Sequence, residues 1–476
     1  MARRWQVLLV TSVAVFMSFL DVTIVNIAFP GIRDSFAGSS LARLSWILNA
    51  YSIVFAAALV PAGRLADRLG RRRLFFLGAL VFLAASAVCG AAGSVDLLIG
   101  ARAVQALGGA MLVPASLGLV LPEFPLEQRA TATALWGATG AVAAATGPSL
   151  GGLLVDWQSW RLVFFVNLLI GVPALAPARR LLREHRERQA ALPDALGACL
   201  LTAAVAALSL AIIEGPDWGW ASGRVLGAFA VSAALLPLFL WRSSAHRAPV
   251  IELSLFRVRS FAVANAGVFV FALGFYALLL CNVLFLTGVW HYSIVRAGVA
   301  LTPGPLMAAL AAPVGGRLAD RFGQRLVAIP GGLVFAAGAL LFALNIDAQR
   351  RYAAEFLPAT LLTGTGVGLS FAAFSSAAVA ELPRTRFATG SAITNCFRQL
   401  GAVLGISGLV ALLGTPSPSS VLHIYQRAWA LMALTGTLAG LTALALGRVR
   451  ARHVGGEQAE AEAAVGFPLA TEADPR

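Results

Sequence analysis

Fourteen apolar runs, each bounded by charged residues or by Gly/Pro clusters, follow one another along this 476-residue chain. They fall near 7–29, 42–62, 74–92, 97–119, 131–153, 161–178, 194–213, 224–241, 261–287, 297–315, 326–345, 354–379, 387–413 and 426–447. About 20 apolar residues are what an α-helix needs to cross the hydrocarbon of a bilayer. Lipid offers backbone groups no partner, so a spanning segment must satisfy its own hydrogen bonds. The expected fold class is therefore an all-α membrane protein with fourteen transmembrane helices. Composition excludes a soluble core: 59% of residues are hydrophobic and 12% charged, where soluble domains have about 45–50% and about 25%.

The net charge of +14 comes from 36 basic residues, all arginine, against 22 acidic ones. In a soluble chain such a balance would suggest nucleic acid. Here the arginines sit in short gaps between apolar runs, so no nucleic-acid partner is expected and membrane lipid is. Positive charge resists translocation and stays in the cytoplasm. Arg64, Arg68, Arg71, Arg72, Arg73, Arg179, Arg180, Arg317, Arg321 and Arg325 mark cytoplasmic gaps, whereas the opposite gaps hold few, such as Arg33, Arg161 and Arg296. Both termini are expected in the cytoplasm, as an even helix count requires.

Cys89, Cys199, Cys281 and Cys396 lie within apolar runs and show no CxxC spacing, so neither a disulfide framework nor a metal site is indicated. No cofactor is expected, and the five histidines lie in gaps or the tail. Arg3 and Arg4 before an apolar stretch mimic a secretory signal, but no small-residue cleavage site follows. The run continues through Asp21 to Pro30 and reads as an uncleaved first helix.

The chain contains an internal repeat. Gly63-Arg64-Leu65-Ala66-Asp67-Arg68-Leu69-Gly70 recurs as Gly316-Arg317-Leu318-Ala319-Asp320-Arg321-Phe322-Gly323, and a weaker echo sets 130–147 beside 388–405. Each octet follows the second helix of its half if helices 1–6 and 9–14 form two bundles. The expected organisation is a six-helix bundle over 1–180, a central two-helix insertion over 181–260, and a second bundle over 261–447. A polar tail over 448–476, rich in Glu, Ala and Gly, is expected to be disordered.

With these features the chain resembles the fourteen-helix drug:proton antiporters of the major facilitator superfamily. The resemblance rests on Leu20-Asp21-Val22-Thr23-Ile24-Val25-Asn26-Ile27-Ala28-Phe29-Pro30, on the two octets, on Arg102 with Gln105, Gly108 and Gly109, and on Gly147-Pro148-Ser149-Leu150-Gly151-Gly152. It covers nearly the whole chain up to about residue 450. One departure is Ala143, which stands where the last pattern usually has a further glycine. The resemblance implies two six-helix bundles plus the inserted pair, in a bacterial cytoplasmic (inner) membrane. It also implies export by alternating access, with Arg102 in the proton-transfer region and the Gly147–Gly152 pattern marking exporters rather than importers.

The residues themselves support candidate roles. An ionised carboxylate inside the bilayer costs about 2.5–3.5 kcal/mol on insertion scales, so an intramembrane acid is paired, protonated, or each in turn. Asp21 lies about 12 Å below the outer end of helix 1 and Arg102 about 8 Å below that of helix 4, so they share a depth. Desolvation and a nearby guanidinium act oppositely on a carboxyl, which is what a proton-coupling pair needs. A static buried ion pair is the structural alternative.

Arg398 is the other intramembrane charge and is expected to face the space between the halves, binding a substrate oxygen, pairing with Asp21, or bracing Asn395. Asn26, Trp46, Gln105, Tyr276, Asn282 and Asn395 are further candidates for a substrate path, since few polar groups among apolar surfaces suit bulky amphipathic compounds. The octets read as cytoplasmic gates. Gly63, Gly70, Gly316 and Gly323 would permit tight turns, while Asp67 and Asp320, with Arg68, Arg71 and Arg321 nearby, would latch neighbouring elements. Gly147-Pro148 would bend helix 5, and Gly151-Gly152 would let another helix approach.

A Walker-type phosphate loop needs a lysine, and there is none, so ATP is not the expected energy source. The leading expectation is a monomeric proton-coupled antiporter, not an enzyme, that exports small amphipathic drugs or antibiotics. A narrow exporter of one endogenous metabolite, an uptake permease and a non-transporting scaffold are the alternatives.

Overall fold

The computed structural model describes residues 2–125, 128–184, 192–383, 386–414 and 420–447. The tail expected to be disordered, 448–476, lies outside the described residues. The N-terminal helices are α1 (Arg3–Ser35), α2 (Leu41–Leu69), α3 (Arg71–Ala91), α4 (Val95–Val120), α5 (Arg129–Trp157) and α6 (Leu162–Leu181). An inserted pair, α7 (Ala195–Trp218) and α8 (Gly223–Ala245), comes next. The C-terminal helices are α9 (Arg259–Gly288), α10 (Ile294–Leu301), α11 (Pro303–Phe322), α12 (Arg325–Asn345), α13 (Leu357–Ala380), α14 (Phe387–Leu413) and α15 (Val421–Thr442). Among the described residues, fourteen segments are long and apolar enough to cross a membrane, the tenth being α10 and α11 together. Thr302 and Pro303 separate these two because proline has no N–H to continue the ladder.

Within each half the helices interlock: α1 packs on α4, α5 and α6 while α3 packs on α4, and α13 packs on α9, α11 and α12 while α15 packs on α9 and α12. The halves meet along α2 with α14 and along α5 with α10 and α11. The insertion is attached at the first of these seams, where α7 packs on both α2 and α14, and α8 is held mainly by α7. Asp194 starts α7 by accepting the Gly197 amide at 2.9 Å, a cap that satisfies an otherwise orphaned backbone donor. The same carboxylate oxygen takes Arg242 Nε of α8 at 3.1 Å, which ties the pair together.

Four helices that start on the extracellular side have serine caps, Ser40 before α2, Ser94 before α4, Ser222 before α8 and Ser293 before α10, each accepting a backbone amide three residues on. The C-terminal core at that side is aromatic: Trp429 lies 4.9 Å from Phe285 and 5.3 Å from Phe342, ring centre to ring centre.

The octets depart from their sequence reading. Gly63 to Leu69 form the last turns of α2, and Gly316 to Phe322 the last turns of α11. Gly63 and Gly316 are thus helical, and only Gly70 (φ 111°) and Gly323 (φ 95°) take the backbone conformation that glycine alone adopts cheaply. The apolar run ends where the hydrocarbon ends, but the hydrogen-bonded helix continues: the 29 residues of α2 amount to about 43 Å at 1.5 Å per residue, beyond the roughly 30 Å core.

Candidate functional site

Five helices of the N-terminal half converge on Asp21. Its side chain is fully buried, and its Oδ2 forms an ion pair with Arg102 Nη1 of α4. Gln105 sits three residues after Arg102, on the same helix face. Its Nε2 donates to Asp21 Oδ1 at 2.8 Å, while its Oε1 accepts Arg102 Nη1 at 2.6 Å. From α6, Asn167 Nδ2 donates to Asp21 Oδ1 at 3.3 Å. From α3, Ser86 Oγ accepts Gln105 Nε2 at 2.8 Å, and Cys89 Sγ lies 3.8 Å from Gln105 Oε1. From α2, Ile47 O accepts Arg102 Nε at 3.2 Å, and the Tyr51 ring lies 4.2 Å beneath the guanidinium.

Such a cluster is tolerated because the charges cancel and their remaining hydrogen-bond capacity is largely used; removing one partner of a buried pair costs about 3–5 kcal/mol. Sequence reasoning selects Asp21, Arg102 and Gln105 but assigns Gln105 to the substrate path. The structure buries it completely and hydrogen-bonds it to the carboxylate. Asn167, Ser86 and Tyr51 are not among the residues that sequence reasoning selects. An asparagine alone in the apolar run of α6 is the available signal.

The other candidates for a substrate path divide. Asn282 is buried and accepts the Trp429 indole N–H at 2.9 Å, so it belongs to the aromatic core of the C-terminal half, not to a path between the halves. Asn26 donates to Val22 O at 2.7 Å within its own helix, and its Oδ1 is buried without a partner. Trp46 is partly buried against the core. Tyr276 is partly buried and packs edge to face on Phe275 at 5.0 Å.

Arg398 and Asn395 lie together, with Arg398 Nη2 2.5 Å from Asn395 Oδ1. The guanidinium is 5.9 Å from the ring of Phe19 on α1 and 5.8 Å from that of Phe371 on α13. It therefore sits at the seam between the halves, while the carboxylate of Asp21 is taken by Arg102.

On the cytoplasmic side, Asp67 accepts Arg71 at 3.0 Å (Nε) and 2.9 Å (Nη2), and Arg71 Nη1 reaches Gly118 O of α4 at 2.8 Å. The C-terminal octet lacks this arrangement: Gln324 stands where Arg71 stands, and Asp320 is exposed. Arg321 lies 5.1 Å over the ring of Phe322. A Cβ at Gly70 would overlap the carboxylate of Glu184, whose oxygens accept the Arg72 and Arg73 amides at 3.1 and 3.2 Å and so cap α3.

The Gly147–Gly152 pattern has two faces. Gly147 and Gly151, one turn apart, lie against Thr23, Ile24 and Ile27 of α1, with no room for a side chain. Pro148 O abuts Gly298 of α10, and a Cβ on Gly152 would stand 3.0 Å from Ile294 O. Ser149 Oγ lies 2.5 Å from Thr302 Oγ1 at the α10–α11 break. Asn49 of α2 donates to Ser407 of α14 at 3.1 Å. These contacts close the two halves against each other toward the extracellular ends of their helices.

Comparison with known proteins agrees with this architecture. The family model for the Major Facilitator Superfamily matches residues 11–406 and, in a second match, 264–472. The chain is 34% identical to multidrug resistance protein Stp of Mycobacterium tuberculosis over 85% of its length and 75% of that protein's. It is 33% identical to a probable actinorhodin transporter of Streptomyces coelicolor, covering 91% of this chain and 77% of the other. With the tetracenomycin C resistance and export protein of Streptomyces glaucescens the identity is 32%, over 90% and 78%. Among solved structures, a bacterial homologue of the human drug peptide transporters PepT1 and PepT2 superposes with a TM-score of 0.65 at 14% identity, covering 93% of this chain and 98% of that one. A bacterial homologue of the lysosomal transporter Spinster gives 0.63 at 18%, over 94% and 98%. These two likenesses concern the fold alone. With two six-helix bundles and an inserted pair in a bacterial inner membrane, the chain belongs to the major facilitator superfamily.

Proposed function

We propose that the protein is a proton-coupled antiporter that exports small amphipathic compounds by alternating access, catalysing no chemical reaction and working as a monomer in lipid. The observation that carries this reading is the sealed Asp21–Arg102 pair, an intramembrane carboxylate bonded by groups on α4 and α6 whose α4 partners are in turn held by α2 and α3. If a shift of α1 against α4 within the N-terminal half accompanies the rocking of the halves and parts the pair, the carboxylate loses its counter-ion and takes up a proton; when the pair closes again, the guanidinium displaces it. Each proton entering with the field gives about 2.3 kcal/mol per 100 mV, enough for roughly fortyfold accumulation at about 1.4 kcal/mol per tenfold.

Gly63, Asp67, Arg68, Gly70 and Arg71, with Gly316, Asp320, Arg321 and Gly323, are proposed as the cytoplasmic gate, and Gly147, Pro148, Gly151 and Gly152 as the hinge of the extracellular closure. Asn26, Trp46, Tyr276, Asn395 and Arg398 are proposed to face the substrate. The bundles are proposed to divide at 1–180 and 261–447 around an insertion at 181–260. Relatives named for actinorhodin, tetracenomycin C and methylenomycin A favour a narrower second reading, export of a self-made antibiotic.

Everted vesicles carrying the protein and energised to an acid interior test both readings. Adding a transported compound should dissipate the pH gradient, and Asp21→Asn should abolish the response without reducing the amount of protein. Uphill export by Asp21→Asn would refute the coupling role. Response to one chemical class rather than a broad panel would select the narrower reading.

A further inference from the structure

Among the described residues, three charged side chains lie in the interior of spanning helices, Asp21, Arg102 and Arg398. The remaining acidic residues of the described chain stand in connecting segments or within one or two turns of a helix end. Asp21 and Arg102 cancel one another. Arg398 then leaves one uncompensated positive charge at the seam between the halves. Among the described residues no carboxylate comes within ion-pair distance of it.

The guanidinium is also short of partners. It has five N–H donors; Nη2 meets Asn395 Oδ1 at 2.5 Å, and Nε is buried without an acceptor. A half-buried charge in the interior of a spanning helix demands an anion or several acceptors, and guanidinium is the cation whose fork fits a planar oxyanion. Phe19 from one half and Phe371 from the other flank it at 5.9 and 5.8 Å, and Phe371 continues edge to face into Phe275 at 5.5 Å. These rings offer stacking surface to a flat molecule whose charged end meets the arginine.

We propose that the substrate is an acidic aromatic compound, a planar ring system bearing an ionised carboxylate, phenolate or enolate, with Arg398 holding the oxyanion and Phe19 and Phe371 the ring. This rests on the export reading and specifies what is exported. Because Phe19 belongs to α1 and Arg398 to α14, the bound anion bridges the two halves, so its presence is registered by both. A cationic drug of the same shape is repelled by the same charge, and a neutral one gains only the stacking.

Three probes of one shape test this: anthracene-2-carboxylate, anthracene-2-carboxamide and 2-anthryltrimethylammonium. Binding to purified protein in lipid nanodiscs is read by quenching of tryptophan fluorescence. The carboxylate should bind at least about tenfold more tightly than the amide, and the ammonium more weakly than either. Arg398→Gln should bring the carboxylate down to the level of the amide, and Arg398→Lys should keep the order. Equal binding of the three probes, no binding of the carboxylate, or an order unchanged in Arg398→Gln would overturn the assignment. Asp21→Asn separates this from the export reading: it should keep the order of affinities while losing uphill transport. Retained uphill transport in that variant refutes the coupling, whereas the anion assignment stands or falls on the order of affinities alone.

Discussion

The Asn167 amide nitrogen donates to Asp21 Oδ1 at 3.3 Å, while its own carbonyl oxygen is buried without a partner. The side chain thus offers a donor to the ionised carboxylate and keeps an acceptor in reserve for a protonated one. Turned over, the same amide could take the carboxyl's O–H. One residue would then suit both states of a proton carrier.

Asn167→Leu, close to isosteric, should therefore slow proton-coupled efflux about tenfold or more, because a hydrogen bond to a charged group contributes about 1.5–3 kcal/mol. Initial rates in vesicles, normalised to folded protein, provide the measurement. An unchanged rate would reduce Asn167 to packing.

The extracellular closure depends on backbone meeting backbone at Pro148 and Gly298. Gly298→Val should force α5 from α10 and shift the population toward an outward-open form. Spin labels at the outer ends of α2 and α14 should report a longer distance by electron–electron resonance than in the parent protein. Overpacking here is expected to cost about 1–3 kcal/mol, enough to invert a two-state balance of similar size.

The octets repeat in sequence and in backbone but not in their side-chain links. Asp67→Asn should weaken the link from Asp67 through Arg71 to Gly118 O and slow transport severalfold, with at most about 1 kcal/mol lost in stability because the pair is partly solvated. Asp320→Asn, where Gln324 stands in place of an arginine, should leave stability unchanged and slow transport less than Asp67→Asn does. Parallel thermal unfolding and efflux assays of the two variants distinguish these outcomes.

Asn282→Leu tests a reassignment. Its loss leaves the Trp429 indole N–H buried without an acceptor, at a cost of about 1–3 kcal/mol. The variant should unfold at lower temperature yet keep the compound profile of the parent. A changed profile would return Asn282 to the substrate path.

What is legible in the sequence follows from the solvent. Lipid forbids unpaired backbone and stray charge, so the apolar runs mark the helices, the arginines orient them, and Asp21 and Arg102 identify each other by depth. Less is visible where burial by lipid and burial by protein look alike. Asn282 and Gln105 are both amides in apolar runs, and only the neighbouring helices show that one supports an indole and the other a carboxylate. Asn167 and Ser86 stay hidden for the same reason, since small polar residues are common in spanning helices. The octets read as turns because charge density marks the edge of hydrocarbon and not the end of a helix.

The position of α7 across the α2–α14 seam makes the molecule unequal on its two flanks. On that flank a bilayer-dissolved compound meets a wall of helix, since α7 spans the crevice that opens as the halves tilt. On the opposite flank, α5 faces α10 and α11 with no such cover among the described residues. A lipophilic cargo gathered from the inner leaflet would have one doorway, and the added pair of helices would serve as its blind side.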